Sequence, residues 1–216
     1  MKYKAVIFDL DGTLLDTLDD IAGSMNSVLE RSGYPLHDRE AYRYFVGNGM
    51  RNLVKRTLPE AMRNDEEIER CLISMYEEYS RRWDEKTTPY EGIPELLDCL
   101  EEKSLKLAVL SNKSDHFTKL MVARLLTKWK FDLVFGERPN VPQKPHPAGA
   151  FEISCLLGIP ENEILYMGDT NVDMQTATAA GMYAVGVLWG FRKADELIEG
   201  GASILIHKPM DLLDLL

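Results

Sequence analysis

The stretch Tyr3-Lys4-Ala5-Val6-Ile7-Phe8-Asp9-Leu10-Asp11-Gly12-Thr13 decides how the rest of the chain is read. Tyr3 to Phe8 reads as a short buried strand, and it runs straight into a polar loop that carries two acids. The character then changes. Between about residues 17 and 87, Leu18, Ile21, Met25, Val28 and Leu29 recur at helical spacing, and Ile68, Cys71, Leu72, Met75, Tyr79 and Trp83 do so again. Gly33, Pro35, Gly47 and Gly49 break the shorter helical stretches between them. After Pro89 helix and strand alternate. Strands are expected at 105–110, 131–135, 164–167, 183–188 and 203–206, with helices at 94–102, 115–126, 148–157 and 172–180. Such alternation predicts an α/β fold with a parallel sheet covered on both faces. The all-helical block after the first strand then becomes a separate cap, so residues 1–16 and 88–216 form the core and 17–87 the cap.

A chain of 216 residues is long enough for one full domain and a smaller one. Its formal charge of −10 speaks against nucleic acid as a partner, because that partner's phosphates would be repelled. No apolar run approaches the roughly 20 residues of a membrane helix. The amino terminus lacks the apolar stretch and small-residue site of a secretory signal, so a cytoplasmic protein is expected. Cys71, Cys99 and Cys155 are scattered, which disfavours zinc and disulfides and predicts three reduced, buried packing residues.

Parallel α/β sheets hold their ligands beyond the carboxyl ends of the strands. Asp9 and Asp11 follow the first expected strand, and Ser111, Asn112 and Lys113 the second. Lys144 precedes a helix, and Asp169 follows a later strand with Asp173 one turn on. Acids, a hydroxyl, an amide and a lysine thus converge from separate segments. Clustered carboxylates repel one another unless a cation sits among them. An all-oxygen donor set suits magnesium, which takes one or two carboxylates together with water and phosphate. Counting Asp9, Asp169 and Asp173 as ionised and Asp11 as protonated, one magnesium ion and Lys144 bring the site to neutrality, ready for a phosphate dianion. Asp9 has the chemistry to attack phosphorus as a nucleophile, and Asp11 to protonate the leaving oxygen and then deprotonate water. Lys144 and the backbone amides near Asp11 and Asn112 are placed to stabilise the transferring phosphoryl oxygens.

Blander readings exist for single residues. Ser111 and Asn112 are candidates for capping the next helix, and Asp173 for complementing a helix dipole. Lys113 reads as a solvated neighbour. His116 and His146 read as structural, His37 and His207 as surface residues, and Trp189 and Phe191 as packing residues or loop anchors.

Taken together, these segments resemble the haloacid dehalogenase-like superfamily. Asp9-Leu10-Asp11-Gly12-Thr13 is similar to its first motif, Leu110-Ser111-Asn112-Lys113 to the second, Lys144-Pro145-His146-Pro147 to the third, and Gly168-Asp169-Thr170-Asn171-Val172-Asp173 to the fourth. The resemblance implies a Rossmann-like core with a helical cap inserted after the first motif. It also implies magnesium held by the side chains of Asp9 and Asp169 and by the Asp11 carbonyl, with Asp173 acting from behind these ligands or through water. The reaction implied is hydrolysis of a small phosphorylated metabolite by way of an aspartyl-phosphate, in a monomer or homodimer. In the cap, Phe45-Val46-Gly47-Asn48-Gly49-Met50-Arg51 resembles the phosphoglycolate phosphatase subfamily. There Gly49 and Arg51, at the start of a helix expected over 51–58, are candidates for holding a substrate carboxylate. The stretch Leu126-Thr127-Lys128-Trp129-Lys130-Phe131 departs from the family pattern. A sugar phosphomutase, a pyrophosphatase and a non-catalytic phosphate-binding protein are the rival readings. A haloalkanoate dehalogenase is disfavoured, because that chemistry needs neither the acid at Asp11 nor magnesium.

Overall fold

The computed structural model describes residues 2–216. Strand β1 (Ala5–Phe8) is buried at every position, as suits a strand covered on both faces. The chain then forms β2 (Leu15–Asp16) and enters a helical block of α1 (Leu18–Arg31), α2 (Arg39–Phe45), α3 (Met50–Thr57), a short 3-10 turn at Glu60–Met62, and α4 (Asp65–Arg82). It leaves through β3 (Thr88–Pro89), which pairs antiparallel with β2. Both crossings therefore meet in one narrow ribbon. Asp20 ties them together by accepting hydrogen bonds from the backbone N–H groups of Lys86 (3.0 Å) and Thr87 (2.9 Å) and from Thr87 Oγ1 (2.7 Å).

The remainder alternates: α5 (Ile93–Glu102), β4 (Lys106–Ser114), α6 (Asp115–Leu125), β5 (Leu133–Glu137), α7 (Ala148–Leu157), β6 (Ile164–Gly168), α8 (Asn171–Ala179), β7 (Tyr183–Val187), α9 (Ala194–Glu199) and β8 (Ile204–Ile206). The strands form one parallel six-stranded sheet in the order β5-β4-β1-β6-β7-β8. Successive strand residues face opposite ways, and the core divides accordingly. Val6 and Phe8 join an apolar cluster with Leu107, Val109, Leu165 and Met167. Ala5 and Ile7 join a second one with Ala108, Ile164 and Tyr166. The first cluster continues into the helical block through Ile21, Met25, Leu53 and Tyr79.

Several boundaries differ from the sequence reading. β4 does not stop at Leu110 but runs extended through Ser111, Asn112 and Lys113, with a register shift against β5. Hydropathy ends at Leu110 and the backbone conformation does not. β5 lies two residues later than expected. Helix α9 and the 3-10 turn Pro209–Leu215 are additions. Cys71 is buried as expected, but Cys99 is only partly covered and Cys155 is exposed. His37 is half-buried against Tyr42 and Phe45, its Nε2 2.8 Å from the Thr57 carbonyl, and so is not a free surface residue. Among the described residues no helix is long and apolar enough to cross a membrane.

Candidate active site

Asp9 and Asp11 emerge at the carboxyl end of β1, between the ends of β4 and β6. The loop turns at Gly12, whose φ is +89°. A Cβ there would lie 2.4 Å from Asp169 Oδ2, and one at Gly190 only 2.2 Å from Asp169 Cβ. Two glycines thus make room for one carboxylate. That carboxylate is fixed from both sides: Thr13 Oγ1 donates to Oδ1 (3.0 Å) and the Phe191 N–H to Oδ2 (2.8 Å). Trp189 Nε1 donates to the Thr13 carbonyl (3.0 Å), which steadies the same loop.

Asp173 lies in the first turn of α8 and forms a capping box with Thr170. Its Oδ2 accepts from Thr170 Oγ1 (2.6 Å) and the Thr170 N–H (3.0 Å), and its Oδ1 accepts from Lys144 Nζ (2.7 Å). Helix capping and charge pairing are therefore both real roles of this residue. Lys144 Nζ is also 2.9 Å from Asp9 Oδ1. That ion pair is the polar contact of the buried Asp9 Oδ1 among the described residues. One oxygen from each of Asp9, Asp169 and Asp173 falls within 4.8 Å of the others.

The electrostatics follow from burial. Loss of water raises the Asp9 carboxyl to about 7, against the pull of Lys144 and with help from the charges of Asp173 and Asp11. Burial, then Asp173 and Asp9, hold Asp169 well above the usual carboxylate range. Burial favours the neutral form of Lys144, but Asp173 and Asp9 outweigh it and hold the ammonium well above an ordinary lysine. Buried acids that resist ionisation, clustered so that one oxygen of each could reach a shared centre, make an all-oxygen donor set that fits a hard divalent cation.

Lys113 is a correction. It is buried, not solvated, and its Nζ sits 3.0 and 3.2 Å from the two oxygens of Asp11 and 4.7 Å from the centre of the Tyr79 ring. Asp11 thus faces an ammonium as well as negative neighbours. Lys113 adds a second buried ammonium to the charges counted from the sequence.

Asn112 is a strut: its Nδ2 donates to the carbonyls of Lys144 (3.0 Å) and Gly47 (3.1 Å), and its Oδ1 accepts from the Lys144 N–H (2.9 Å). Its side chain is thereby committed to aligning Lys144 and the helical block. Ser111 Oγ accepts from the Lys113 N–H at 3.3 Å. Neither caps the following helix, because Ser114 does. Asp9, Asp11, Gly49, Ser111, Asn112 and Lys113 line a cleft of about 490 Å³, measured out to its open mouth, whose other wall is Ile21, Val46, Met50 and Leu53. Lys144, Asp169 and Asp173 stand behind Asp9. Arg51 is not brought to the cleft; its guanidinium is bound to Asp65 (2.9 Å) and Glu69 (2.5 Å) on α4.

Residues 6–187 match the model of the haloacid dehalogenase-like hydrolases. The chain belongs to that family. Among haloacid dehalogenase-like relatives, a phosphoglycolate phosphatase of Pseudomonas savastanoi pv. phaseolicola is 32% identical over 94% of this chain and 76% of its own length. Another, from Chromobacterium violaceum, is 31% identical over 99% of this chain and 96% of its own. A crystal structure from Lactobacillus delbrueckii subsp. bulgaricus, provisionally assigned as a phosphoglycolate phosphatase, superposes with a TM-score of 0.93 at 32% identity, covering 100% of this chain and 98% of that one.

Proposed function

We propose that this haloacid dehalogenase-like hydrolase is a magnesium-dependent phosphomonoesterase that acts on 2-phosphoglycolate through a phosphorylated Asp9. The observation that carries the reading is Asp9 itself: a buried carboxylate at the end of β1, paired with the Lys144 ammonium and clustered with two further acids. In this reading Asp9 and Asp169 would hold the ion through their carboxylates, Asp11 through its backbone carbonyl, and Asp173 through water. Bound there, magnesium supplies the positive charge that lets a phosphate dianion enter an acidic site.

The chain's own groups do the rest. An oxygen of Asp9 bonds to phosphorus as the bond to the ester oxygen breaks, and Asp11 gives that leaving oxygen a proton. Asp11 then takes a proton from the water that hydrolyses the aspartyl-phosphate, and Asp9 is restored. Lys144 balances charge on the phosphoryl oxygens, and Ser111 and the backbone around Asn112 are its neighbours. Residues 17–87 act as a cap over the cleft, with Gly49 letting the backbone approach the substrate. The phosphoglycolate assignment rests on the relatives.

The test is phosphate release by chelator-stripped protein, with and without added magnesium, from 2-phosphoglycolate, glucose 1-phosphate, pyrophosphate and p-nitrophenyl phosphate. Magnesium-dependent release with the highest kcat/KM on 2-phosphoglycolate is expected. Full activity in chelator would sink the metal assignment, and a preference for pyrophosphate or for sugar-phosphate isomerisation would move the chain to one of the rival chemistries.

A further inference from the structure

A short phosphate ester that carries a carboxylate brings a second anion into a cleft already lined by Asp9 and Asp11. In 2-phosphoglycolate that carboxylate is joined to the leaving oxygen through a single methylene, so it arrives beside the acid serving that oxygen. Like charges at such range repel strongly unless a cation stands between them.

The arginines along the seam are tied off elsewhere. Arg43 donates to the Gly190 carbonyl (2.7 Å), and Arg56 to the Tyr44 and Phe45 carbonyls (both 3.1 Å) and to Asn48 (2.7 Å). Arg192 donates to the carbonyls of Val46 (3.1 Å) and Arg43. Arg51 is held by α4. Among the described residues, the cation that lines the cleft is Lys113.

We propose that Lys113 binds the substrate's carboxylate, bridging it to Asp11, and so selects short carboxylate-bearing phosphate monoesters. The inference rests on the phosphatase reading above and names a residue for its specificity. An ammonium has three N–H donors, and the pair with Asp11 leaves capacity for a second acceptor. The Tyr79 ring backs the ammonium, and Tyr79 is itself held edge-on to Phe117 at 5.0 Å, so the charge is pinned at the cleft wall. The facing Ile21, Val46, Met50 and Leu53 offer no competing polar group and keep the local dielectric low.

The competing role for Lys113 is support of Asp11 alone, and it predicts a different pattern. The experiment compares wild type, Lys113→Met and Lys113→Arg on 2-phosphoglycolate, on ethyl phosphate (the same length without the carboxylate) and on p-nitrophenyl phosphate. Circular dichroism checks the fold. A charge-assisted hydrogen bond is worth about 1.5–3 kcal/mol, so Lys113→Met is expected to lose roughly 10- to 100-fold more kcat/KM on 2-phosphoglycolate than on ethyl phosphate. Binding of 3-phosphonopropionate, the carbon isostere, should weaken by a similar factor while inorganic phosphate binds as before. If Lys113→Met does not fold, Lys113→Arg, which keeps the charge but moves it, should show the same selective loss. Equal losses on 2-phosphoglycolate and ethyl phosphate would overturn the inference in favour of support for Asp11. Absence of any wild-type preference for 2-phosphoglycolate over ethyl phosphate would instead overturn the substrate assignment on which it rests.

Discussion

On the sheet side of the cleft, Asp9, Asp11, Asp169, Asp173, Lys113 and Lys144 are all buried: Lys113 pairs with Asp11, Lys144 with Asp9 and Asp173, and Asp169 is held by Thr13 and the Phe191 N–H. On the helical side, Ile21, Val46, Met50 and Leu53 present apolar surface, and the nearby arginines spend their donors on backbone carbonyls or on each other's helices. One wall concentrates charge at high desolvation cost; the other carries almost none. The charged wall suits the phosphoryl group that every substrate of such an enzyme shares. The apolar wall and the single ammonium at its border are what remain to tell one leaving group from another.

The contrast is broken most severely at Asp9. Asp9→Asn is expected to lower kcat by at least about a thousand-fold, because an amide is not an anionic nucleophile. The same change relieves a buried charge, so the metal-free variant should melt above metal-free wild type near neutral pH. Loss of turnover with gain of stability would mark a functional carboxylate placed where folding disfavours it. Retained turnover in a folded variant would remove Asp9 from the chemistry.

Much of the charged wall was legible in the sequence, because strand ends announce themselves. The apolar run ending at Phe8 put Asp9 and Asp11 at a sheet edge, and the run ending before Asp169 did likewise. Lys113 was missed for a physical reason. Burial by ion pairing leaves no hydropathic trace, and β4 stays extended past its last apolar residue. Side chains two apart on a strand share a face, so continuing the strand would have grouped Lys113 with Ser111. The Phe191 N–H is invisible at sequence level, since any residue supplies that donor. Arg51 was assigned from its nearness to Gly49, but the buried side of α3 is set by Leu53, Val54 and Thr57. With Met50 these fall at i, i+3, i+4 and i+7, and Arg51 falls outside that stripe.

A second, smaller effect follows from the raised Asp9 carboxyl. The folded state holds its proton more tightly than the unfolded chain. That contribution to stability is fully present below the ordinary value of 3.8 and is lost as the pH rises through about 7. Asp169 is shifted in the same direction. Chelator-treated protein should therefore lose roughly 5 °C or more of Tm between about pH 5 and about pH 8, and millimolar magnesium should flatten the slope by binding the ionised acids. Differential scanning calorimetry across that window reads both curves. A metal-free Tm that rises through the window would mean that the acids are not the strained element.

The smallest effect is expected at Arg51, and it sharpens the comparison from the helical side. Its guanidinium pairs with Asp65 and Glu69, whose side chains are 97% and 57% exposed, while its own is 48% exposed. Pairs open to water to this degree contribute about 0–1 kcal/mol. Arg51→Ala should then shift Tm by no more than about 4 °C, leave kcat/KM on 2-phosphoglycolate within about twofold, and leave its ratio to ethyl phosphate unchanged. The helical block has another way to behave: if it rearranges when substrate binds, Arg51 would have to leave two acids on α4 and cross to the far side of its own helix. Such a movement would reveal itself as a selective loss of more than about tenfold on 2-phosphoglycolate in Arg51→Ala. A double variant with Lys113→Met then separates the two cations. If only Lys113 reads the carboxylate, the double variant equals Lys113→Met alone. If both do, the losses couple, and the helical wall is not the uncharged surface that its resting geometry describes.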